Sequence, residues 1–111
     1  MNLNELKLQY QGFHPSDYTQ DYIESVMDGL YKESPHGSIV QAFFSRQSHI
    51  FKGRIRIDSA RGHFFAVASG SHVKEVTNRL VQQIRRQLDK WEKSRLQRKS
   101  LRSLSLEEMA S

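Results

Sequence analysis

Val73, Val76, Leu80, Ile84, Leu88 and Trp91 recur at spacings of three, four, four, four and three residues. That is the period of one buried helix face. At 100° per residue the six side chains fall within an arc of about 120°. Arg79, Arg86, Lys90 and Lys93 gather on the opposite side, with Lys74 and Arg85 on a flank. Beyond Trp91 the stripe fails, because Arg95 and Arg98 fall on the apolar arc. The pattern predicts that the helix overhangs its partner, or frays, near residue 94.

What precedes this helix reads mostly as strands. Leu6-Lys7-Leu8-Gln9-Tyr10 alternates apolar and polar, the period of a half-buried strand. Ser16 is a candidate N-cap and Asp17 suits the positive end of a helix dipole. Ile23, Val26, Met27, Leu30 and Tyr31 then mark one face of a helix over about 16–32, stopped by Ser34-Pro35-His36-Gly37. Three strand-like runs follow at 38–45, 49–58 and 63–69, with Arg61-Gly62 as a hairpin turn. In the middle run Phe51, Ile55 and Ile57 point one way, with Gly53 between them, and Lys52, Arg54 and Arg56 point the other.

The order is β-α-β-β-β-α, an α+β class. The first β-α-β unit implies a parallel pair with a right-handed crossover. The later strands, close in sequence, imply antiparallel pairing. The expected architecture is a four-stranded mixed sheet with two helices packed on one face. The other face is left solvated and carries Lys52, Arg54 and Arg56. At 111 residues the chain fits one domain. It divides into an α+β domain over 1–95 and a basic-to-polar tail over 96–111. The tail is expected to be flexible, with Ser105 and Glu108 spaced for a capping box.

Several classes of function are excluded or disfavoured. Cysteine is absent, which removes disulfides, thiolate metal sites and a cysteine nucleophile. The five histidines have neither H-x-x-x-H nor H-E-x-x-H spacing, so no metal site is expected. There is no P-loop, G-x-G-x-x-G or G-x-S-x-G. Acidic residues at 17, 21, 24 and 28 lie at helical spacing and read as a solvated face rather than a catalytic carboxylate pair. No apolar run is long enough to span a bilayer, and the first ten residues lack the pattern of a secretory signal. The expectation is a cytoplasmic, non-enzymatic monomer with no cofactor, no small-molecule substrate and no membrane partner.

Charge is distributed unevenly. Lys and Arg number 17 against 12 acidic residues, a net charge of +5. Residues 1–45 carry two bases and six acids, residues 46–73 five and one, and residues 74–102 ten and three. Such polarity favours a partner with a dense negative field. Only Glu75 and Asp89 precede a base by four residues across the long helix, so most of its cations lack a local partner. Arginine's planar fork suits phosphate oxygens. Against this stands the simpler reading that charged residues are solvated, or that Lys52, Arg54 and Arg56 protect a strand edge. One of each adjacent pair Phe43-Phe44 and Phe64-Phe65 must face away from the helices, where a ring stacks on a nucleotide or packs against a partner.

The chain also resembles the ribosome hibernation promoting factor family, or protein Y family, over about residues 3–95. The resemblance is carried by Ser16, Tyr22-Ile23, Met27 and Leu30 in the first helix and by Phe65-Ala66-Val67-Ala68-Ser69 in the last strand. In the second helix it is carried by Leu80-Val81, Ile84, Arg86-Gln87-Leu88-Asp89-Lys90 and Lys93. It implies the same β-α-β-β-β-α fold and binding to small-subunit rRNA in the mRNA and tRNA channel. Translation is then inhibited and idle ribosomes are preserved, without catalysis or cofactor. By position, the implied RNA contacts are Arg79, Arg86, Lys90 and Lys93, with Arg85 beside them. The sheet residues Lys52, Arg54 and Arg56 extend the basic surface. The chain departs from the family in an acidic first helix, whose base is Lys32 near its end.

Overall fold

The computed structural model describes the backbone of residues 6–110 and the side chains of residues 6–96. The elements are β1 (Leu6–Gln11), α1 (Asp17–Glu33), β2 (Ile39–Gln47), β3 (Ile50–Ser59), β4 (Gly62–Gly70) and α2 (Val73–Ala110). The strands lie in the order β1-β2-β3-β4, with β1 parallel to β2 and the other neighbours antiparallel. The predicted mixed sheet is therefore present.

Alternation along the strands sends one set of side chains to the helices. Val40, Ala42 and Phe44 of β2, Ile55 and Ile57 of β3, and Phe64 and Ala66 of β4 are buried. They meet Ile23, Met27 and Leu30 of α1 and Val76, Leu80, Val81, Ile84 and Leu88 of α2 in one core. Each fully buried large side chain in it is worth roughly 1.5–3 kcal/mol of transfer free energy. α1 packs on β1 and β2, and α2 on β3 and β4. Gly53 permits the second contact: a Cβ there would lie 2.7 Å from Leu80 and 2.8 Å from Val76. The glycine in the middle of β3 thus marks a close approach of helix and sheet that any larger residue would block.

α1 begins as expected. The Ser16 hydroxyl accepts from the Thr19 amide at 3.2 Å, and Asp17 occupies the first turn. The two helices are tied by the Tyr22 hydroxyl donating to Asn78 at 2.7 Å and by an ion pair between Arg85 and Glu33 at 3.3 Å.

α2 is longer than its apolar stripe. Among the described residues its packed positions end at Trp91, yet the backbone stays helical to Ala110, and the molecule extends 66 Å along its longest axis. The stripe's failure therefore marks an overhang. Residues 95–110 contain neither Gly nor Pro and are rich in Leu, Arg, Lys, Gln and Glu, so propensity carries the helix past its packing partner. Within the segment 96–111, set apart above as a tail, the backbone is helical through Ala110 and Ser105 starts no helix. Among the described residues no helix is long and apolar enough to cross a membrane.

Candidate nucleic-acid interface

The strand residues that point away from the helices form the open face of the sheet. Pairing register arranges them in rows: Lys7, Gln41, Arg56 and Phe65 in one, and Gln9, Phe43, Arg54 and Val67 in the next. A third row holds Gln11, Ser45, Lys52 and Ser69. Lys52, Arg54 and Arg56 are all exposed on this face, as alternation predicts. The sequence also implied that one phenylalanine of each pair faces outward. Those are Phe43, half-buried, and Phe65, 54% exposed, while Phe44 and Phe64 enter the core.

The charges here are not equivalent. The Arg54 guanidinium lies over the Phe43 ring, 4.7 Å from its centroid. Arg56 Nε donates to Asp58 at 2.9 Å, and His63 Nδ1 lies 2.8 Å from the other oxygen of the same carboxylate. The hydrogen bond from His63, reinforced by Arg56, holds the Asp58 carboxyl below the ordinary aspartate range. Lys7 and Lys52 have no ion-pair partner among the described residues. Lys7, Gln9, Gln41, Phe43, Arg54, Arg56 and Phe65 line a shallow depression. Lys7, absent from the residues singled out in sequence, joins the surface because the parallel β1-β2 register places it in the row of Arg56. Its alternation with Leu6 and Leu8 was the available signal.

The second cationic surface is the exposed flank of α2, and the structure divides its bases. Arg79 is bound to Glu75 at 2.6 Å and donates to the Ser69 carbonyl at 2.6 Å. Lys93 meets Asp89 at 3.2 Å, and Arg85 is held by Glu33 on the other helix. Arg86 and Lys90, one turn apart and exposed, have no ion-pair partner among the described residues. The eight bases picked from sequence thus form two surfaces, not one continuous patch. Arg79, Arg85, Lys93 and Arg56 arrive with carboxylates already attached.

Arg79 belongs to an arrangement that sequence reasoning missed. The Gln87 amide accepts from the Phe65 N–H at 3.1 Å and donates to the Phe65 carbonyl at 2.7 Å. Gln83 donates to the Val67 carbonyl at 2.9 Å, and Arg79 to that of Ser69. Helix positions four apart therefore meet strand positions two apart along the outer edge of β4. Four helical residues rise about 6 Å and two strand residues about 6.6 Å, so the two spacings match. These side chains occupy part of an edge that would otherwise offer bare peptide groups.

No family model and no curated protein matches the sequence. Solved structures do match. The N-terminal domain of Thermus thermophilus protein Y superposes with a TM-score of 0.66 at 16% identity, covering 77% of this chain and 94% of that one. A ribosomal subunit interface protein from Coxiella burnetii gives 0.65 at 14% identity, covering 78% and 96%. The chain shares their fold. At this identity the likeness concerns architecture, and the surface chemistry must be argued from this chain's own residues. Among the described residues, no group of three or more His, Asp or Glu side chains is placed to hold a metal.

Proposed function

We propose that this chain is a non-enzymatic, cytoplasmic, ribosome-associated factor of the hibernation promoting factor family. It binds small-subunit rRNA as a monomer in the channel used by mRNA and tRNA, inhibits translation by exclusion and preserves idle ribosomes. The fold shared with protein Y and with a subunit interface protein supports a ribosomal partner. The observation that carries the reading for this chain is the pair Arg86 and Lys90, exposed on α2 and without an ion-pair partner among the described residues. A phosphate backbone supplies the missing counter-charge and releases its own condensed cations. α1 is turned to other use: Asp17, Asp21 and Glu24 are exposed along it, so the contact runs through α2 and the sheet.

Sedimentation through sucrose with purified small subunits tests this. The wild-type chain co-sediments at low salt. If about six phosphates are contacted, its affinity falls roughly 10³-fold between 50 and 200 mM salt. Arg86→Glu combined with Lys90→Glu abolishes co-sedimentation while the circular dichroism spectrum is retained. Retained binding by that folded double variant would overturn the reading. The same unpaired bases of α2 would equally serve a second reading, a general RNA- or DNA-binding module of the same fold acting away from ribosomes. Excess bulk tRNA separates the two, because it strips a generic binder from subunits and leaves a channel-specific one in place.

A further inference from the structure

Phe65 is a large apolar ring, 54% exposed, on a strand that is not free to move. Its own N–H and carbonyl are both taken by Gln87. Two strands away, Phe43 lies beneath the guanidinium of Arg54, itself an exposed residue. Between them stands Arg56, with Lys7 and Lys52 in the flanking strand positions. From strand spacing and register, Phe43 and Phe65 stand roughly 10–12 Å apart across the face.

We propose that this open face is a binding platform for single-stranded RNA. One unpaired base stacks on Phe65 and another on the Arg54 plane above Phe43, while Lys7, Lys52 and Arg56 hold the connecting phosphates. The assignment deepens the nucleic-acid reading above and rests on it, adding a second site of different chemistry from the α2 flank. Bases offer a π-face to rings and guanidinium planes alike, and unpaired segments of RNA expose those faces. Charge selects the occupant. Among the described residues, Lys7, Lys52, Arg54 and Arg56 share the face with one carboxylate, Asp58, which is already held by Arg56 and His63. A second copy docking face to face would set these cations against themselves. A typical protein partner avoids lysine at the centre of its contact. Pairing of a further strand to β4 is opposed by Arg79, Gln83 and Gln87 along its edge.

The test uses the full chain and a fluorescent, unstructured RNA octamer, with affinity read by anisotropy and the contact mapped by amide NMR shifts. Octamer binding is expected to move the amides of Gln41, Phe43, Arg54 and Phe65. Phe65→Ala weakens it about ten- to a hundredfold, as loss of one stacking ring does. Arg54→Gln gives an independent variant that keeps the strand intact. Arg86→Glu with Lys90→Glu leaves the octamer's NMR footprint on the sheet while removing small-subunit co-sedimentation. Unchanged octamer affinity in both Phe65→Ala and Arg54→Gln, or shifts confined to α2, overturns the platform. Neither result touches the sedimentation assay, whose own failure overturns the ribosomal reading instead. Equal affinity for a DNA octamer overturns the assignment to RNA, and binding by a duplex in preference to the single strand overturns stacking.

Discussion

The α2 flank and the open sheet face both carry basic side chains and differ in what stands between them. On α2 a carboxylate one turn away claims three bases: Glu75 holds Arg79, Asp89 holds Lys93, and Glu92 holds Arg95. Among the described residues Arg86 and Lys90 are left without a carboxylate, as is Lys74, which lies against the Tyr18 and Tyr22 rings instead. On the sheet, alternation puts Lys52, Arg54 and Arg56 on one side of β3 with Asp58 as that strand's own acid at the end of the series, and the gaps are filled by Phe43 and Phe65. A helix surface repeats every turn and so readily supplies its own counter-charges; a strand face of alternating bases does not. Counting cations therefore overstates what α2 can offer a phosphate and understates what the sheet offers a base.

Charge neutralisation gives the largest separable effect. Each phosphate contact removed should flatten the plot of log affinity against log salt by a little under one unit. Arg86→Gln with Lys90→Gln is expected to lower the slope by nearly two, and Lys93→Gln by clearly less than one because Asp89 already screens that ammonium. Salt titrations of small-subunit binding measure both. Equal slopes for the single Lys93 change and for each member of the free pair would erase the distinction between attached and unattached bases.

Much of this molecule was legible beforehand. The 3-4-4-4-3 stripe located α2, and the alternation of 49–58 fixed which side of β3 carries the bases, because both follow from local periods. The i,i+4 pairs of α2 were equally local. Arg85 with Glu33 was not visible, since 52 residues separate them and only the α1 packing angle brings them together. Nor was the clamp of Gln83 and Gln87 on β4, because a glutamine on a helix flank has no distinguishing pattern until the strand beside it is known. The extent of α2 escaped for the opposite reason: apolar periodicity reports packing, and a helix sustained by propensity leaves no stripe.

Gly53 joins the two surfaces, since α2 and the bases of β3 are held together across it. Gly53→Ala forces a methyl against Leu80 and Val76 and is expected to cost roughly 1–3 kcal/mol of stability in denaturant unfolding. A smaller cost is expected at the β4 edge. Gln87→Ala removes the bonds at both polar groups of Phe65 and should lower stability by about 1 kcal/mol. Hydrogen exchange at Phe65 should then quicken more than at Ala66. Uniform quickening along β4 would show that the glutamine supports the strand generally and does not hold that residue in particular.

Tyr10 tests the helix side of the sheet alone. Its hydroxyl is buried with no partner among the described residues, and burial, helped by Glu24, pushes the phenol up to about 12. A raised folded value favours the neutral form, so the contribution is intact below the unfolded value of 10.0 and is lost as pH rises towards 12. Tyr10→Phe should therefore be neutral to about 1 kcal/mol stabilising near pH 7 and should flatten the alkaline limb of the melting profile. A variant less stable at neutral pH would mean that the hydroxyl is satisfied.

The smallest expected effect lies at the corner of the open face, where Asp58 holds Arg56 and His63. Its carboxyl is depressed chiefly by the hydrogen bond from His63. A depressed folded value means that the stabilisation is fully present above the unfolded value near 3.8 and is lost as pH falls through the folded one. Asp58→Asn should remove that acid-limb loss while changing little at pH 7, since the group is solvent-screened. The same substitution releases Arg56 from its carboxylate, so the salt slope for the RNA octamer should steepen even as the acid limb flattens. An unchanged slope would place Arg56 outside the phosphate contacts and leave Lys7 and Lys52 to make them. The open face would then work by stacking between two lysines, and the contrast with α2 would be sharper still.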